Sequence, residues 1–185
     1  MNRLATVLSG IFGYLFLALS FFVTLETVLR KVFNVSFQGA DELGGYALAV
    51  GSSLAFSIAL IGRGHIRIDI LYSHLSPTVQ AILNWLSAVL LGLFGIMLIT
   101  VCYKVVVDTI DYGSTAPTPW ATPMIYPQGA WFLSLLVFAA IAIVYAFRAT
   151  ALLLMGRRDD LNEEFQPKGA FEELAEEIED IRHRG

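Results

Sequence analysis

The sequence has little of what a soluble domain or an enzyme needs. Lys, Arg, Asp and Glu supply only 15% of its 185 residues, against about one-quarter in a soluble domain. The single cysteine, Cys102, lies inside an apolar run, so an intrachain disulfide and a zinc cluster are both excluded and the redox compartment cannot be read. The three histidines fall outside the long apolar runs, which removes the paired axial ligands of a membrane haem protein. There is no phosphate-binding loop or nucleophile motif, and no apolar run broken by unwound polar backbone as in many secondary transporters. A basic nucleic-acid face is missing as well, since the net charge is -4. These absences leave few residues to hold a substrate at the midplane and predict a chain that does not transport alone.

What is present is apolar: 56% of the residues are hydrophobic and the mean hydropathy is +0.66, the values of a membrane protein. Segments 4–29, 43–61, 79–107 and 130–155 are each long enough to cross a hydrocarbon core of about 30 Å as a helix rising about 1.5 Å per residue. They lack the period-two alternation of barrel strands, and lipid tolerates only helices or closed barrels. The expected fold is therefore an all-α integral membrane protein, a four-helix bundle over residues 1–156. The run from Leu4 to Leu29 is about twice a signal-peptide core and offers no suitable small-residue cleavage pattern, so it reads as a retained span.

Orientation follows from Lys and Arg near the span ends. With the N-terminus in the cytoplasm, the inner side holds Arg3, Arg63, Arg67, Arg148, Arg157 and Arg158, and the outer side Arg30, Lys31 and Lys104. That bias places both termini in the cytoplasm. Segment 108–128 fits an outer loop, and its prolines at 117, 119, 123 and 127 argue against continuous helix there. Ser76 and Pro77 read as the cap and first position of the third helix.

Between the second and third spans, Ile61-Gly-Arg-Gly-His-Ile-Arg-Ile-Asp-Ile-Leu-Tyr-Ser-His-Leu75 concentrates charge and histidine. Gly62 and Gly64 permit a stop and turn, Arg63 and Arg67 suit headgroup level, and the isoleucines return to apolar surroundings. This predicts a short interfacial segment. A metal site from His65, Asp69 and His74 is disfavoured by the spacing.

Within the spans, ionisable residues are functional candidates. Glu26 has Arg30 four residues later, the favourable order for a helical ion pair that softens a boundary charge; the sharper reading is a proton-exchanging carboxylate. In the second span Ala47, Gly51, Ala55 and Ala59 recur every four residues and set small side chains along one face, for packing within the chain or against a partner. The tail from Arg157 onward carries five basic and ten acidic residues, a net -5 that leaves +1 for the rest. Within it, residues 170–181 place Phe171, Leu174, Ala175, Ile178 and Ile181 on one helical face, predicting an acidic cytoplasmic amphipathic helix suited to a protein surface rather than to anionic lipid, with a solvated or frayed tail as the alternative.

Leu29-Arg-Lys-Val-Phe-Asn34, Asp41-Glu-Leu43 opening the second span, Gly64-His-Ile-Arg-Ile-Asp69 after it, and Pro123-Met124 before the fourth resemble the small membrane subunit, DctQ-like, of tripartite ATP-independent periplasmic (TRAP) transporters. The resemblance covers about residues 4 to 155. One departure is that Phe37-Gln-Gly-Ala40 lacks the tryptophan usual before the acidic pair. The resemblance implies a location in the bacterial inner membrane and two partners: a large membrane subunit that moves substrate in an elevator-like, sodium-coupled step, and a periplasmic protein that delivers an organic acid. It assigns structural or interface roles to Arg30, Asn34, Glu42, His65, Arg67 and Asp69, none catalytic. It implies a scaffold with no cofactor. Two other classes remain: a small four-span proton-coupled exporter using Glu26, and an assembly or regulatory membrane protein using the tail helix.

Overall fold

The structure, a computed structural model, describes residues 3–36, 38–62, 72 and 75–165. Its elements in chain order are α1 (Arg3–Val28), a π-helical turn (Leu29–Phe33), α2 (Ala40–Ile61), α3 (Pro77–Tyr112), α4 (Ile125–Leu154) and α5 (Arg158–Phe165). Helix α1 with its π turn, α2, α3 and α4 are each long and apolar enough to cross a membrane. The interfacial segment with His65, Arg67 and Asp69, and the helix expected over 170–181, lie outside the described residues.

The helix limits depart from the apolar runs for identifiable reasons. Helix α2 starts at Ala40, which puts Asp41 and Glu42 into its first turn, where negative charge meets the positive end of the helix dipole. Helix α4 begins at Ile125 and takes in Pro127, contrary to the expectation that this proline belongs to the loop. First-turn amides have no intrahelical acceptor, so a proline there forfeits no hydrogen bond. Helix α3 has 36 residues, about 54 Å at 1.5 Å each, and so extends well past the hydrocarbon core. It opens as expected on Pro77 after Ser76, but the Ser76 side chain makes no capping bond.

The helices stand in a row. Helix α3 packs along α4, α4 against α2, and α2 against α1, while α5 folds back onto α3 and α4. Leu8 and Glu26 are the buried residues of α1 among those described. The row forms because close-packing residues are distributed unevenly. On α3, a Cβ added at Gly92 would lie 2.9 Å from the Ala146 Cβ, and one at Gly95 would lie 3.2 Å from the Ala139 Cα. Such close backbone approach maximises dispersion contacts, the main source of helix association in lipid. Between α2 and α4 the core is Leu60, Phe138 and Ala142, with the Phe56 and Phe138 rings 6.0 Å apart. Ser57 lies in α2 too, with a fully buried hydroxyl that has no protein partner among the described residues.

Helix α4 ends where Gly156 adopts φ 73°, a left-handed conformation that glycine takes without steric cost. The Arg157 amide then donates to the Leu152 carbonyl at 3.0 Å. The chain reverses there, and α5 lies against α3 with Leu161 fully buried among Ala81, Ala88, Ala149 and Leu152. Helix α5 was not anticipated: residues 158–165 read as a polar stretch.

Candidate functional site

At the end of the molecule where α1 stops and α2 starts, the chain turns through the sequence Leu29 to Gly39. The π-helical turn closes when the Asn34 amide donates to the Leu29 carbonyl, and Asn34 itself takes φ 55°, ψ 27°. Asparagine tolerates this left-handed geometry better than most residues. The reversal carries Ser36 back over α1, and its hydroxyl donates to Glu26 Oε1 at 2.5 Å. Glu26 is 2% exposed, whereas Arg30 is exposed. The structure thus brings Ser36 to Glu26, while the Arg30 side chain lies on the exposed side. A carboxylate facing inward is served by a hydroxyl that folds in with it, while a guanidinium facing outward stays hydrated.

Glu42 anchors a second set of contacts at the same end. It is 8% exposed. Tyr46, one turn along α2, donates its hydroxyl to Glu42 Oε1 at 2.8 Å, and Thr118 donates to Glu42 Oε2. The Tyr46 hydroxyl also lies 3.6 Å from Met124 Sδ. Thr118 and Met124 belong to the connection between α3 and α4, so one carboxylate ties that loop to the start of α2. The loop is ordered from within: the Ala116 amide donates to the Thr122 carbonyl at 2.9 Å and the Met124 amide to the Ser114 carbonyl at 3.0 Å. Pro117, Pro119 and Pro123 limit its alternatives. Gly39 completes the seat, since a Cβ there would lie 2.3 Å from the Trp120 ring.

The opposite end holds a polar latch. Asn84, 1% exposed in α3, donates from Nδ2 to the Tyr72 hydroxyl at 2.7 Å and to Asn162 Oδ1 of α5 at 3.1 Å. Asn162 Nδ2 donates to the Pro77 carbonyl at 3.0 Å. Trp85 Nε1 donates to Thr150 Oγ1 of α4 at 3.0 Å. Arg148 meets Glu164 at 2.5 Å, and Arg157 meets Asp160 at 2.5 Å. The hydrogen bond that Arg157 Nε donates to the Asp160 carboxylate holds the guanidinium proton more firmly than usual.

Of the residues singled out from sequence, Asn34 proves to end the π turn and Glu42 to fasten a loop. Gly51 of the small-residue stripe receives Phe16 of α1: a Cβ at Gly51 would lie 2.2 Å from that ring. Ala47, Ala55 and Ala59 are partly buried. Tyr46, Thr118, Asn84, Asn162 and the Gly92–Gly95 surface were missed. Asn84 could have been found as an amide inside an apolar run, and the glycines by their spacing against the alanines of α4. Among the described residues no group of three His, Cys, Asp or Glu is placed to hold a metal.

Four apolar spanning helices, joined by side-chain bonds that fix loops and helix ends, define a multi-pass membrane protein. Residues 19–152 match the family described as tripartite ATP-independent periplasmic transporters, DctQ component, and the chain belongs to it. It is thus the small permease subunit of a TRAP transporter. No curated protein and no solved structure matches the chain.

Proposed function

We propose that this subunit is a scaffold that braces the large membrane subunit during sodium-coupled uptake of an organic acid, a C4-dicarboxylate, sialic acid or similar carboxylate, delivered by a periplasmic binding protein. It resides in the bacterial inner membrane with both termini in the cytoplasm. The observation that carries the reading is the open row of helices in a member of this family. A row leaves broad apolar flanks, with Leu17 at 69% and Phe21 at 71% exposed on α1, and such a flank can lie along a larger membrane neighbour. The scaffold reading predicts that the chain purifies with a much larger membrane protein and that uptake in proteoliposomes requires both, plus the binding protein and a sodium gradient. Carboxylate uptake by this chain alone would refute it.

The alternative is a small proton-coupled exporter that uses Glu26, a reading favoured by the burial of that carboxylate. Glu26→Gln separates the two. An exporter loses proton-coupled efflux, whereas the scaffold supports near-normal uptake in the assembled transporter.

A further inference from the structure

Tyr14 of α1 stands where a tyrosine is hard to accommodate. It lies eleven residues after Arg3 and twelve before Glu26, so at about 1.5 Å per residue it sits about 16 Å inside the bilayer, close to the middle of a hydrocarbon core of about 30 Å. The residue is 79% exposed, and its hydroxyl has no hydrogen-bond partner among the described residues. Thr24 and Thr27 of the same helix satisfy their hydroxyls locally, each donating to the carbonyl four residues back, at 2.7 and 2.8 Å. A phenol ring carries its hydroxyl too far from the backbone for that bond, and it is too short to reach a headgroup from the midplane. Tyrosine suits the membrane surface, where the ring lies in lipid and the hydroxyl in water. Acyl chains offer no acceptor, so a hydroxyl that faces them is left bare in hydrocarbon, which is costly.

The surface around Tyr14 is shaped to receive a helix. Val7, Gly10, Leu17, Phe21 and Val28 share its face at steps of three and four residues, and all are exposed. This face points away from α2, where Gly51 receives Phe16. A Cβ added at Gly10 or Gly13 would meet nothing within 4 Å, whereas the space at Gly51, Gly92 and Gly95 is already filled by neighbours in the row. Open glycines let another backbone approach closely. A second copy of this chain fits poorly: two copies inserted the same way round would set Tyr14 opposite Tyr14, and such a pair satisfies one hydroxyl donor and leaves the other bare. We infer that a span of the large membrane subunit packs along this face of α1 and accepts a hydrogen bond from the Tyr14 hydroxyl near the bilayer midplane, through a side-chain oxygen or a carbonyl freed at a helix break. The inference rests on the scaffold reading and adds the contact at which the two chains are joined.

The test uses the purified assembly of this chain with the large membrane subunit. The photoreactive p-benzoylphenylalanine, placed at position 14, should cross-link to the large subunit on irradiation. Tyr14→Phe, which removes one oxygen, should weaken the assembly by roughly three- to tenfold on dilution in detergent, the scale of one interhelical hydrogen bond in a membrane. Gly10→Leu, which blocks close approach, should weaken it further. Cross-linking only to a second copy or to lipid, or unaltered affinity in Tyr14→Phe, overturns the contact, while continued copurification keeps the scaffold reading. A lower melting temperature of the isolated Tyr14→Phe chain also overturns it, because the hydroxyl would then serve this chain alone. If the chain does not associate with the large subunit at all, both readings fall.

Discussion

Asn34 shows how much a single residue can decide. Its left-handed backbone ends the π turn and sends the chain back so that Ser36 reaches Glu26. Replacing it with glycine keeps that geometry available, whereas Asn34→Val forces a β-branched residue into a conformation costing roughly 1–2 kcal/mol for ordinary side chains. Asn34→Gly should therefore melt near the wild-type temperature in detergent, and Asn34→Val clearly lower. At Glu42 the expected effect is local. Glu42→Ala removes the acceptor for Tyr46 and Thr118, so the amides of Ala116 and Met124 should exchange hydrogen faster while those in the middle of α3 and α4 do not change. The sequence pointed to both residues without their tasks. A carboxylate beside a helix start is visible in a sequence, but its partner Thr118 is 76 positions away and no periodicity links them. Ser36 was hidden for the same reason: spacing along a helix predicts the neighbours of Glu26 on α1, not the residue that folds back over it.

At the scale of elements, the spans were legible because about 20 apolar residues are a physical requirement for crossing lipid. Their ends were less so, since helix limits are set by caps, dipoles and first-turn tolerance of proline rather than by hydropathy. Helix α5 was hidden for a different reason. Its eight residues, Arg-Asp-Asp-Leu-Asn-Glu-Glu-Phe, contain few apolar positions, and the helix holds by docking, with Leu161 buried and the Phe165 ring edge-on to Tyr145 at 5.7 Å. Leu161→Ala should cost about 2–5 kcal/mol of the docking, and Asn84→Ala should leave Asn162 short of a buried partner. Either change should raise hydrogen exchange in α5 before any loss of the four long helices. Gly92→Val tests the α3 and α4 contact: overpacking of this kind costs typically about 1–3 kcal/mol, so the variant should unfold at a lower detergent concentration or temperature.

For the whole molecule, the order of helices in space differs from their order in the chain. Fold class and span number followed from composition, but adjacency did not, because every span is apolar on most of its surface and the row is selected by particular contacts: Gly92 and Gly95 against α4, Gly51 against Phe16, and Leu60 against Phe138 and Ala142. If the row braces a larger partner, substitutions on the outer flank of α1, such as Phe21→Ala together with Leu17→Ala, should reduce recovery of that partner in a pull-down while leaving the chain's own melting temperature unchanged. Deleting residues 169–185 should not reduce that recovery unless the acidic tail also takes part.

The row has a consequence for biosynthesis. Helix α2 enters the bilayer before α4, its neighbour in the finished row, has been made, and Leu60 of α2 is buried against Phe138 and Ala142 of α4. Until the ribosome has passed Leu154, that face of α2 meets acyl chains or the insertion machinery, and α4 has still to come between α2 and α3. Maturation of this subunit is therefore a late wedging step, whose completion waits on the last span to be synthesised.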